Sequence, residues 1–93
     1  MYRFTMDGNH WIIRFSPHLD IEEEDKEIVI QLVLEFETKV KGFSHGESFL
    51  LFDDKLGAII FRIEKIPSSI FTVSTIVPKD KWYKKTLLAI EPY

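Results

Sequence analysis

The stretch EEEDKEIVIQLVLEFETKV (residues 22–40) decides how the rest of the chain is arranged. Stepped at about 100° per residue, its apolar side chains gather on one side. Ile28, Val29, Leu32, Val33, Phe36 and Val40 form a stripe that Ile21 extends upstream. That is the pattern of a helix laid on a core by one face. Glu22, Glu23, Glu24 and Asp25 stand at its start, where the helix dipole favours negative charge. Gly42 offers a stop, with Lys39 and Lys41 in the last turn. Two N-caps compete upstream: Ser16 followed by Pro17, and Asp20 with Glu23 in capping-box spacing. Ile30 and Leu34 fall outside the stripe, so the apolar arc is wider than one sheet requires. That shoulder predicts a cover from the C-terminal segment, a second subunit or a partner, and makes Ile30 and Leu34 candidate interface residues.

Strand periodicity flanks the helix on both sides. Before it, YRFTM sets Tyr2, Phe4 and Met6 against Arg3 and Thr5. HWIIRF sets Trp11, Ile13 and Phe15 against His10, Ile12 and Arg14, and the DGN between them is a hairpin-turn signal. Residues 2–15 are therefore expected to form a β-hairpin. After the helix, SFLLF, AIIFRIE and IFTVSTIV read as three strands separated by DDKLG and KIPSS. Such short turns imply antiparallel neighbours and a meander. Alternation puts Ile59, Phe61 and Ile63 inward against Arg62 and Glu64. It also puts Phe71, Val73, Thr75 and Val77 inward against Thr72 and Ser74. The element order ββαβββ, with a last amphipathic helix or strand in PKDKWYKKTLLAIEPY, predicts an α+β fold. Its expected form is a two-layer sandwich, with one long helix on one face of an antiparallel sheet.

Composition narrows the classes of function. The 93 residues make one domain, 1–93, and 45% of them are hydrophobic, enough for a dense core at this size. Without cysteine there is neither a disulfide framework nor a thiolate metal site. The apolar runs are shorter than the ~20 residues of a membrane span. MYRFTMDGNH lacks the apolar middle of a signal peptide. The expectation is a soluble cytoplasmic protein without membrane contact. A net charge of −3 disfavours broad non-specific binding to nucleic acid, which rests on neutralising phosphates.

The arginines carry the most information. Arg3, Arg14 and Arg62 are the chain's only three, and each occupies an outward position on an expected strand, whereas the lysines lie in helices, turns and the tail. A guanidinium is a planar fork of donors matched to phosphate and carboxylate. His10, Thr72 and Ser74 share that face by the same alternation. Arg3, His10, Arg14, Arg62, Thr72 and Ser74 are the candidate binding set if the strands are neighbours. The plainer alternative is that the arginine stems cover the exposed side of the sheet and pair with Glu64. In the tail, Lys79, Lys81, Lys84 and Lys85 surround Trp82 and Tyr83. Charge beside stacking surfaces suits single-stranded nucleic acid. The same aromatics at helical spacing also suit a tail pinned to the core, with its lysines facing water.

Chemistry of the chain's own is harder to assemble. His10, His18 and His45 are scattered, and none has the i, i+4 partner of a helical metal site. His18, after Ser16 and Pro17, is placed to act as an acid or base. Asp53 and Asp54 read as turn residues, and SHGES is not a nucleophile elbow. No cofactor and no metal are expected.

RFSPH (residues 14–18) ahead of the long helix resembles the Phe-Ser-x-His start of some small ribonuclease toxins of the RelE and colicin type, the barnase-like group. IFTVSTIVP (residues 70–78) is similar to their final strand. The resemblance covers residues 14–83. It implies RNA cleavage on an antiparallel sheet, with His18 and Lys79 as acid and base, Arg62 as a phosphate clamp, and Thr75 or Tyr83 orienting the substrate. Members of that group are usually basic, whereas this chain is acidic.

No catalytic set is complete, so the first expectation is a macromolecule-binding domain that acts on a protein partner or as a homodimer. Phage-encoded and accessory host-interaction proteins share this size and look. An endoribonuclease toxin and a non-catalytic RNA or DNA binder are the alternatives.

Overall fold

The structure, a computed structural model, describes residues 2–78 and 90–92. Its elements run β1 (Tyr2–Met6), β2 (Asn9–Phe15), α1 (Glu23–Glu35), α2 (Glu37–Val40), β3 (Ser48–Asp53), β4 (Gly57–Glu64), β5 (Ile70–Val77) and β6 (Ile90–Pro92). Among the described residues the strands form one six-stranded sheet in the order β1-β2-β5-β4-β3-β6. The helices pack on one of its faces through Val29, Ile30, Leu32, Val33 and Val40, which share a core with Trp11, Ile13, Phe49, Phe61 and Phe71. This is an α+β arrangement of two layers.

The hairpin forms as its sequence dictates. Asp7 and Gly8 both take positive φ, 55° and 76°, the backbone of a two-residue turn whose twist matches the strands it joins. The pairing runs from Met6 opposite Asn9 to Tyr2 opposite Ile13. The β3–β4–β5 meander also follows the expected order.

The expected antiparallel sheet is corrected to a mixed one. β2 joins the meander through β5 and runs parallel to it, with Ile13 opposite Phe71 and Arg14 opposite Thr72. No hairpin can connect parallel neighbours; a long crossover must. Here the crossover is the chain through α1, α2, β3 and β4.

The helix differs at both ends from its expected form. Neither Ser16 nor Asp20 caps it; Glu22 does, with its carbonyl accepting from the Asp25 and Lys26 amides and no side-chain cap. Ser16 is occupied elsewhere. Its amide continues the sheet ladder to the Val73 carbonyl, and its hydroxyl meets His18 Nδ1 at 2.7 Å. At Phe36 the backbone leaves helical values, φ −100° and ψ 26°, and one more turn follows as α2. That turn delivers Val40 to full burial.

Alternation fails once, in β5. Phe61 pairs with Val73 and Ile60 with Thr75, so Ser74 is an extra residue, a β-bulge. The bulge reverses the facing of everything after it. Thr75 and Val77, expected inward, lie opposite Ile60 and Ala58, and Thr75 is exposed. Ile76 takes the inward place opposite Ile59 and packs on the core. The Ser74 hydroxyl donates to the Ile60 carbonyl at 3.2 Å, which ties the bulge to β4. The expected final helix falls on residues 79–89, outside the described residues, as do Lys79, Lys81, Trp82, Tyr83, Lys84 and Lys85; Ile90, at its end, begins β6.

The core is built on aromatic contacts. Phe49 stacks with Phe43 and Phe61 at centroid distances of 4.7 and 5.1 Å and meets Phe71 edge-on at 6.0 Å. Trp11 stacks on Phe71 at 4.6 Å. Such pairs add about 0.5–1.5 kcal/mol each beyond their burial. Ion pairs brace the periphery. Lys55 reaches Asp25 on α1 at 2.8 Å, Lys41 reaches Asp7 in the hairpin turn at 3.1 Å, and the Tyr2 hydroxyl donates to Glu23.

Candidate binding face

The helices occupy one face of the sheet. On the other, Ala58 and Ile60 of β4 are buried, and the end that carries Arg3, Arg14 and Arg62 is exposed; strand register decides what this open part displays. One cross-strand row runs Arg3, Ile12, Ile70, Glu64 over β1, β2, β5 and β4. The next runs Arg14, Thr72, Arg62, Ser48 over β2, β5, β4 and β3. Strands far apart in sequence thus bring the three arginines into two adjacent rows of one face. Neighbouring strands stand about 4.8 Å apart, so Arg14 and Arg62 flank Thr72 with about 10 Å between their backbones.

The arginines differ in what holds them. Arg14 donates to Thr72 Oγ1 at 3.3 Å and pairs with Glu64 Oε1 at 3.6 Å. Both partners in that ion pair keep water contact, with side chains 49% and 30% exposed. Such a pair contributes about 0–1 kcal/mol and yields readily to a better ligand. Arg3 and Arg62 are exposed, and among the described residues neither side chain has an ion-pair or hydrogen-bond partner. The sequence expectation of stems pairing with Glu64 therefore holds for Arg14 alone. A sheet row fixes the backbone from which each arginine projects, which reduces the entropy a ligand must remove.

The other candidates are placed unevenly. His10 is exposed opposite Thr5, one step beyond Arg3 and past the start of β5. The Ser74 hydroxyl is committed to the Ile60 carbonyl. His18 follows the end of β2 with its Nδ1 held by Ser16. Thr75 and Arg62 lie on neighbouring strands, and Lys79 and Tyr83 are outside the described residues, so the five residues of the ribonuclease set are not seen together. Ile30 and Leu34, expected on a shoulder needing cover from the C-terminal segment, a second subunit or a partner, pack with the chain's own core; Ile30 is 9% exposed and Leu34 is half-buried. The third histidine, His45, accepts the Lys65 amide at Nδ1 in a loop.

Sequence reading did not count Ser48 and Ile70 as members of this face, and did not include Ile12 in the candidate set. Alternation had already turned Ile12 outward. What periodicity lacks is register, which alone makes Ile12 and Ile70 neighbours between Arg3 and Glu64.

Charge separates the two layers. Glu22, Glu23, Glu24, Glu27 and Glu35 are exposed on the helix layer, opposite the arginine face. Tyr2 and Glu23 link the layers. The hydrogen bond to the Glu23 carboxylate pushes the Tyr2 phenol up to about 12, and the same bond, with Lys26 beside it, holds Glu23 below the usual carboxylate range. Among the described residues no group of histidines and carboxylates could hold a metal ion, and no helix is long and apolar enough to cross a membrane. In comparisons with known proteins, no family model, no curated protein and no solved structure matches the chain.

Proposed function

We propose that this protein is a small binding domain that engages an anionic macromolecular partner on the open face of its sheet and performs no chemistry of its own. One observation carries the reading: the chain's only arginines occupy two adjacent rows of that face, and two of them lack a side-chain partner among the described residues. Ordered guanidinium groups with unused donors recognise carboxylates and phosphates. Because Ile30 and Leu34 pack on the chain's own core, the reading assigns the interface to the sheet and not to the helix shoulder. The test is fluorescence anisotropy with labelled polyglutamate and labelled oligouridylate at two salt concentrations. The comparison protein is the R3Q/R14Q/R62Q variant, checked for fold by circular dichroism. Wild type should bind at least one probe and the variant should lose at least about tenfold. Failure of wild type to bind either probe, or equal binding by the variant, would overturn the reading.

An endoribonuclease is the second reading, favoured by the bulge that turns Thr75 outward on the strand beside Arg62. His18 with a held Nδ1 has its Nε2 available for proton transfer. Incubation with RNA separates the two. Cleavage by wild type, lost in an H18A/R62A variant, would establish the enzyme; intact RNA under varied conditions would remove it.

A further inference from the structure

The open face has an apolar floor between its arginines, and that feature sets the class of partner. Ile12 and Ile70 are cross-strand neighbours on it, both half-buried, with Arg3 and Glu64 at the ends of their row. The row beside them ends its charged part on Arg14 and Arg62, with Thr72 between. Where β4 turns toward β5, next to the Glu64–Ile70 pair, Ile66 is 71% exposed. A patch of partly exposed isoleucines edged by arginine is the make-up of a protein interface, in which arginine is enriched and a central apolar area is ringed by polar groups.

Nucleic acid fits this surface poorly. Neither arginine row contains an aromatic side chain on which a base would stack. The face includes the carboxylate of Glu64, and the chain as a whole carries a net charge of −3, so a long phosphate backbone meets few cations among the described residues of this face and general repulsion. A short acidic segment of protein avoids that cost. Its carboxylates address the guanidinium groups, and its apolar side chains take the isoleucines. An extended segment places every second residue on one side, about 6.7 Å apart, a spacing flexible arginine stems two strands apart can meet.

We infer that the open face takes an acidic protein segment in which carboxylates are interspersed with aliphatic side chains. The contacts it uses are Arg3, Arg14 and Arg62 for charge and Ile12 and Ile70 for apolar contact. The Arg14–Glu64 pair is a self-contact that the ligand carboxylate replaces. This rests on the proposed binding function and narrows it to one ligand chemistry.

The experiment compares three labelled probes against the full chain. They are a peptide repeating glutamate, serine, leucine and serine, which puts glutamate and leucine on the same side of an extended chain, polyglutamate of the same charge, and oligouridylate of similar length. The mixed peptide should bind about tenfold tighter than polyglutamate. R62Q should weaken both acidic probes. I12T/I70T should weaken the mixed peptide selectively, bringing it to within about threefold of polyglutamate. The gentler I12V and I70V single variants, with melting curves, serve if the double variant folds poorly, and should move the preference in the same direction. Equal binding of the two acidic probes would overturn the apolar contribution and with it the inference. Oligouridylate binding tightest, in an arginine-dependent way, would overturn the inference while leaving the anion-binding function in place. No binding by any probe would overturn both.

Discussion

Phe61 and Arg62 are neighbours in one strand and belong to different worlds. Phe61 is fully buried and stacks on Phe49, while Arg62 is exposed on the other face without a side-chain partner among the described residues. The same division runs through the hairpin, where Ile13 is fully buried and Arg14 is half exposed to water. One face of the sheet is saturated: aromatic rings and aliphatic chains from both layers fill it, and among the described residues no buried side-chain polar atom lacks a partner. The other face keeps its three arginines exposed to water, although Ala58 and Ile60 on it are buried. On the proposed reading, stability and recognition fall on opposite sides of the same strands, and a substitution on one side should leave the other largely intact.

That separation is open to direct attack. Phe61→Ala should be the most damaging change, costing about 3–5 kcal/mol in chemical denaturation. Arg62→Ala, one residue on, should stay within about 0.5 kcal/mol of wild type and lose affinity instead. If the arginine costs as much as the phenylalanine, the two faces are not independent. Ile30→Ala should cost about 2–5 kcal/mol. That loss should not change with protein concentration, because Ile30 packs within its own chain; a concentration-dependent loss would return it to an interface. Ser74→Ala removes the bond that ties the bulge to the Ile60 carbonyl and should cost about 0.5–1.5 kcal/mol. Tyr2→Phe is the mildest test, read as stability against pH. The Tyr2 phenol is raised in the fold from 10.0 to about 12, so its contribution is complete below pH 10 and fades as pH climbs through that interval. Glu23 is lowered, so its contribution is present above the usual carboxylate range and fades in acid. The variant should lose the alkaline slope and part of the acid one, and an unchanged profile would show that the bond does not persist in solution.

Much of this architecture was legible before any coordinates. Apolar patterning and turn signals place β1 to β5: alternation marks β1, β2 and the first part of β5, and short apolar runs bounded by turns mark β3 and β4, where Gly57 to Phe61 are all buried. Patterning also finds α1, whose stripe is unmistakable. Two kinds of information escape it. Register and direction are long-range properties, so nothing in HWIIRF or IFTVSTIV announces that they pair side by side and parallel. The bulge at Ser74 is a local exception that only its partner strand reveals, and one extra residue was enough to misplace Thr75 and Val77. The helix start was misread for a different reason. Ser16 has the right chemistry for a cap, but sheet pairing with Val73 claims its backbone first. As for the candidate face, the outward arginines were visible as a set, whereas their alignment across β2, β5 and β4, and the isoleucines between them, required the fold.

The parallel contact between β2 and β5 also imposes a schedule on synthesis. Arg14 and Thr72, which meet across it, are 58 positions apart. At about 5–20 residues per second, β2 waits roughly 3–12 s on the ribosome before its partner has been made. Throughout that interval Trp11, Ile12 and Ile13 sit on a strand with one edge unpaired, an invitation to other chains. The time between making the hairpin and making Thr72 is therefore the period in which this protein most depends on its cellular surroundings to stay out of aggregates.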